Sequence, residues 1–171
     1  QQDVAESLWK DFSGQTLDAP AQAALVQTLG AARFLNLSRR ATGDQLPGAR
    51  AFAQQCLRAA AQTGRTPQAL AALLERLSDP DAEVRAAARS DLAVTGDPGA
   101  VACLEALAGA SGEGLRTELM RALAKMRPGV EPLLIAALAD GEGTFRRDVV
   151  ELCGYLRLQK SVPWLAALAT G

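Results

Sequence analysis

A short phrase returns along this chain about every 31 residues, and it limits the possible folds more than any other feature. Val84-Arg85 precedes the break at Gly96-Asp97-Pro98-Gly99. Leu115-Arg116 recurs 31 positions later, ahead of Arg127-Pro128-Gly129, and Phe145-Arg146 follows after another 30, ahead of Leu158-Gln159-Lys160. Each phrase places an apolar residue and an arginine at the start of a helical stretch, then a breaker, then a new apolar run. A period in this range marks stacked units, none of which can bury its own apolar face alone.

The punctuation between the phrases is that of helix pairs. Thr66-Pro67 puts a capping hydroxyl before a proline at the first helical position, where a missing N–H costs nothing. Leu70, Leu73, Leu74 and Leu77 follow at helical spacing, and Asp79-Pro80 is expected to stop that helix and cap the next. Val84, Ala87, Ala88 and Leu92 form the second stripe, which Gly96 ends. The pattern repeats from Asp97-Pro98, with Val101, Leu104 and Leu107, then Leu115, Leu119, Leu123 and Met126. A third pair begins near Val130 and turns at Gly141-Glu142-Gly143 before Phe145, Val149, Leu152, Cys153 and Leu156. Ser161-Val162-Pro163 opens a last helix over 161–170, with Trp164, Leu165 and Leu168. It either caps the array or precedes further chain.

Upstream the register weakens. Residues 49–63 read as another second helix, with Ala53 where the arginine would stand, and 20–41 as one longer helix with Leu25, Leu29, Ala32 and Leu35 on a face. Residues 3–12, with Val4, Leu8, Trp9 and Phe12, read as a short covering helix. The expected division is therefore a divergent helical cap over 1–48 and repeats over 49–171. No stretch alternates as a strand would.

Nearly half the residues are apolar, but only 4% are aromatic and much of the remainder is alanine, which suits thin helical layers. Net charge is −1, so no global field points to nucleic acid or anionic lipid. Residues 31–65 nevertheless hold six arginines against one aspartate, a local excess of five positive charges. Arg33, Arg39, Arg40, Arg50 and Arg58 are thus a candidate basic patch. Three cysteines, Cys56, Cys103 and Cys153, are too far apart in sequence for a zinc motif, and each reads as a small buried apolar residue. No apolar run reaches the roughly 18 residues of a membrane span. The chain is expected to be soluble, either cytoplasmic or exported after removal of a signal.

The stretch Leu-Ser-Asp-Pro-Asp-Ala-Glu-Val-Arg-Ala-Ala-Ala at 77–88, ending in Gly96-Asp97-Pro98, resembles a HEAT repeat, and the period is similar to that of the short HEAT-like repeats named after phycobiliprotein lyases. The resemblance implies an all-α, right-handed α-solenoid of stacked antiparallel helix pairs, armadillo-like in plan, whose second helices line a concave surface. It also implies a non-catalytic scaffold that binds a protein or peptide. The family has other branches. A glycosylase-like DNA binder would need a strongly basic concave face, which these repeats lack, although the arginine-rich 33–65 segment keeps that alternative open. A bilin-lyase-like chromophore handler is the other.

Chemistry finds little purchase here. The chain has no histidine, which removes histidine general acid–base catalysis, Ser-His-Asp triads and the His-Glu pairs of HEAT-like di-iron hydroxylases. No phosphate-binding glycine loop occurs. No cofactor, metal or nucleic acid is expected. Arg85, Arg116 and Arg146 read as a structural ladder, each paired with a nearby acid: Asp81, Glu113 and Glu142. The candidate contact surface is the mixed-charge set Arg89, Glu118, Arg121, Lys125, Arg147 and Glu151.

Overall fold

The computed structural model describes Asp11 and residues 17–30, 49–62 and 67–170. The described residues are all-helical. In order they form α1 (Ala19–Leu29), α2 (Ala49–Gln62), α3 (Pro67–Glu75), α4 (Ala82–Val94), α5 (Asp97–Gly109), α6 (Glu113–Lys125), α7 (Glu131–Asp140), α8 (Gly143–Tyr155) and α9 (Val162–Thr170). Short 3-10 turns at Arg76–Ser78 and Gln159–Ser161 follow α3 and precede α9. This is the helical-repeat, α-solenoid class that the period implies. The expected helix at 3–12, the side chains of Arg33, Arg39, Arg40 and Arg50, and the continuation of a helix through 31–41 lie outside the described residues.

The chain divides into two compact units, residues 1–91 and 92–171, with the division inside α4. In the first, α1 packs on α2 and α2 on α3. Asp18 starts α1 by accepting the Ala21 N–H at 2.9 Å, with Pro20 in the first turn. Gly30 then takes φ 77°, where a β-carbon would be strained, so α1 stops at Leu29. The core of this unit is built from Val26, Leu29, Cys56, Leu57, Ala60, Leu73 and Leu77. Asp91 is buried and meets Arg58 at 3.4 Å. The capping of α4 differs from expectation. Asp79 accepts the Asp81 N–H, and Asp81 in turn accepts the Glu83 N–H, both at 2.9 Å. Asp81 is therefore the residue whose carboxylate serves the first turn of α4, one step beyond the Asp79-Pro80 break.

The second unit contains two complete helix pairs, α5 with α6 and α7 with α8. Each pair turns through three residues or fewer: 110–112 after α5 and Gly141–Glu142 after α7. Gly141 is the tight point, because a β-carbon there would lie 2.5 Å from the Ala137 carbonyl oxygen and 3.0 Å from the Phe145 ring. The next helix of the fold, α8, packs not only on α7 but also on α5 and α6, which fixes how one pair seats on the previous one. Between them lies a core of Cys103, Leu107, Leu119, Leu123, Leu134, Leu138, Val149 and Leu152, each no more than 2% exposed. α9 packs on α7. No described helix is long and apolar enough to cross a membrane.

Candidate functional site: the α6–α8 cleft

The repeating arginine opens each second helix, and its side chain reaches back rather than sideways. Arg85 Nη1 donates to the carbonyls of Asp79 at 2.7 Å and Pro80 at 2.9 Å. Arg116 Nη1 donates to the Ala110 carbonyl, also at 2.7 Å and also six residues back. In both repeats a cation thus meets carbonyls left over where the preceding helical segment ends, which complements the negative end of its dipole.

Arg116 makes a second contact that its neighbours in sequence do not suggest. Its Nη2 donates to Asp148 Oδ2, 32 residues on, in α8. Glu113, the expected partner, is exposed instead. The physical reason is burial. The side chains of Arg116 and Asp148 are 14% and 6% exposed, so each needs an opposite charge in a region where water is scarce. Glu113, at the solvent-facing start of α6, keeps its hydration. Arg146, in the equivalent position of α8, has no side-chain hydrogen bond or ion pair with a described residue; Glu142, its expected partner, accepts only its backbone N–H. The Nε of Arg146 is buried without a partner.

Beside the Arg116–Asp148 pair opens a cleft of about 520 Å³. One wall is the α6 face of Glu113, Arg116, Thr117 and Met120, at i, i+3, i+4, i+7 spacing; the other is the α8 face of Thr144, Arg147, Asp148 and Glu151, at the same spacing. Ala110 and Ser111 close one end. Once Arg116 and Asp148 neutralise each other, Arg147 remains against Glu113 and Glu151. Hydroxyls and the Met120 thioether fill the space between. This mixture suits a polypeptide's alternation of polar, charged and apolar groups better than a polyanion.

The residues expected on one contact surface are distributed more widely. Arg147 and Glu151 line the cleft. Arg121 and Lys125 are exposed, one turn apart, on the flank of α6 that does not line it. Glu118 is 7% exposed and accepts from Arg121 Nη1 at 3.1 Å, so it belongs to the buried layer. Arg89 is half-buried on α4, in the helix where the two units divide. Of the basic patch, Arg58 is described, and it holds Asp91. The sequence reading missed Asp148, Thr117, Met120 and Thr144. A signal for Asp148 did exist: Glu118 and Asp148 each stand two positions after a ladder arginine, and both are buried.

The cysteines are buried and free. Burial pushes the thiols of Cys56 and Cys103 up to about 12. Cys153 is also raised by burial, against the lowering effect of a hydrogen bond with Ser161. All three are protonated at neutral pH and poor nucleophiles. Among the described residues, no three His, Cys, Asp or Glu side chains gather as a metal site would require.

The family model described as HEAT repeats matches residues 41–124. Neither the curated proteins nor the solved structures yield a match to the chain. HEAT repeats generally mediate protein interaction or scaffolding. With its helix pairs and its returning arginine, the structure is consistent with a HEAT-like repeat protein, and residues 41–124 match HEAT repeats.

Proposed function

We propose that the chain is a non-catalytic protein-interaction module that receives a peptide segment in the α6–α8 cleft. The observation that carries this reading is the cleft itself, walled by two helices that a buried ion pair holds together. The helices are rigid, so a ligand segment would bear the ordering cost and the receptor little of it. Arg147 and Glu151 sit one turn apart and offer a cation and an anion to complementary side chains. Met120 and the threonine methyls offer apolar contact, with methionine adaptable in shape. Arg121 and Lys125 extend the exposed polar surface along the other flank of α6.

The test is a peptide-display screen against the full chain, followed by charge reversal. Binding of recovered peptides should fall about tenfold or more with Arg147→Glu or Glu151→Lys, equivalent to about 1.4 kcal/mol, with helicity by circular dichroism unchanged. Arg121→Glu and Lys125→Glu should have smaller effects. Peptides indifferent to Arg147 and Glu151 would remove the cleft from consideration.

A further inference from the structure

The α6–α8 cleft carries its charges in a definite order. α6 and α8 are the same helix of successive repeats and run the same way, and Arg116 and Arg146, at matching positions, set their register. On that register Glu113 stands at one end of the cleft. Arg147 lies about 6 Å further along and Glu151 about 6 Å beyond it, each step being four helical rises. The side chains of these three make no hydrogen bond or ion pair with a described residue, whereas Arg116 and Asp148 satisfy each other. The uncommitted charges along the cleft therefore read minus, plus, minus.

A complementary ligand needs plus, minus, plus at similar intervals, and two regular backbones supply them. An extended chain returns to the same face every second residue, about 6.6–6.8 Å on, and an α-helix every fourth, about 6 Å on. Width decides between the two. A volume of about 520 Å³ over a length of about 12 Å leaves a cross-section of about 40 Å². An extended chain occupies about 5 Å by 10 Å, close to that figure. A helix with its side chains is about 10–12 Å across and needs at least about twice the area.

The hydroxyls favour the same backbone. An extended segment arrives with N–H and C=O groups that nothing within the segment satisfies, whereas a helix pairs its own. Thr28 and Ser90, on other helices, spend their hydroxyls on the carbonyl four residues back. Thr117 and Thr144 make no side-chain hydrogen bond with a described residue, so their hydroxyls stand ready along both walls to donate and accept.

Building on the cleft as a peptide site, we propose that its occupant is an extended segment of basic-x-acidic-x-basic sequence. The two cations of the segment lie against Glu113 and Glu151, and its carboxylate lies against Arg147. The segment's surplus of one positive charge balances the surplus of one negative charge on the cleft walls.

The probes are four synthetic peptides, titrated into the isotope-labelled full chain and followed by amide NMR shifts, which report even millimolar binding. The first is Thr-Lys-Thr-Glu-Thr-Lys-Thr. The second inverts its charges, the third sets them side by side as Thr-Thr-Lys-Glu-Lys-Thr-Thr, and the fourth is an alanine-based helix with Lys, Glu and Lys at every fourth position. The first should shift the amides of Thr117, Thr144 and Glu151 and bind about tenfold or more tightly than the second, third or fourth, with affinity falling as salt is raised. The triple variant Glu113→Lys, Arg147→Glu, Glu151→Lys should prefer the inverted peptide instead. All three side chains are exposed, so its helicity should match the parent's by circular dichroism. Tighter binding of the helical peptide would overturn the proposal, and so would equal binding of the first two peptides or an unchanged preference in the triple variant. Displayed peptides that need Arg147 and Glu151 but lack the alternating pattern would overturn the charge order and leave the peptide site standing. Cleft amides unmoved by any of the four probes or any displayed peptide would remove both.

Discussion

Arg116 and Arg146 occupy the same position in successive helices and live in different surroundings. Arg116 bridges to the next repeat through Asp148 and ties back to the Ala110 carbonyl; Arg146 makes neither bond to a described residue. Arg116 therefore couples one helix pair to the next, through the acid that α8 supplies. Apolar packing differs as well. Leu152, between the pairs, is 1% exposed, whereas Leu168, on α9, is 42% exposed. The same residue types are a core in one place and an uncovered surface in the other.

The largest expected effect comes from breaking the completed step. Asp148→Asn should destabilise the chain by about 3–5 kcal/mol in urea unfolding, because it leaves the Arg116 cation buried without its anion. Arg146→Met should stay within about 0.5 kcal/mol of the parent, since no pair is lost. Equal losses would erase the distinction. Next in size is the apolar contrast. Leu152→Ala should cost about 2–5 kcal/mol through a cavity in the core, while Leu168→Ala should lie within about 0.5 kcal/mol. Differential scanning calorimetry on the two variants checks this.

A pH-dependent effect follows from Cys103 in α5. Its thiol ionises near 9.0 when unfolded and is raised by burial to about 12 in the fold. Its contribution to stability is therefore complete below pH 9 and drains away as pH climbs toward 12. Cys103→Ala should flatten the loss of stability over that interval, and Ellman's reagent should leave the thiol unlabelled at pH 8. The smallest expected effect is on the exposed flank of α6. Arg121→Ala should cost no more than about 0.5 kcal/mol, since its i, i+3 partner Glu118 lies beside a well-solvated guanidinium.

The helices were legible because their signals are local. Prolines at first turns, glycines at breaks and stripes at 3.6-residue spacing mark α3 through α9, and the bounds found lie close to those expected. The cap of α4 moved from Asp79-Pro80 to Asp81 because two carboxylates compete within three residues, and only backbone geometry decides between them. The end of α1 was misplaced because an apolar stripe continues past Gly30, whose positive φ the stripe does not reveal. The cleft was legible only in part. Arg147 and Glu151 could be named from their place on a second helix. Asp148 was hidden because its partner lies 32 residues away, while Glu113 offered a nearer acid. Sequence proximity favours local pairs; desolvation decides between local and distant ones. The division inside α4 has no sequence signature, since the helix runs through it.

The most direct test of repeat coupling is a double-mutant cycle on Arg116→Met and Asp148→Leu, followed by chemical unfolding of all four chains. A coupling energy of about 1–3 kcal/mol is expected, with the double variant recovering much of what either single variant loses. A coupling energy near zero, with losses that simply add, would contradict the claim that this arginine and the following repeat's carboxylate hold successive helix pairs together.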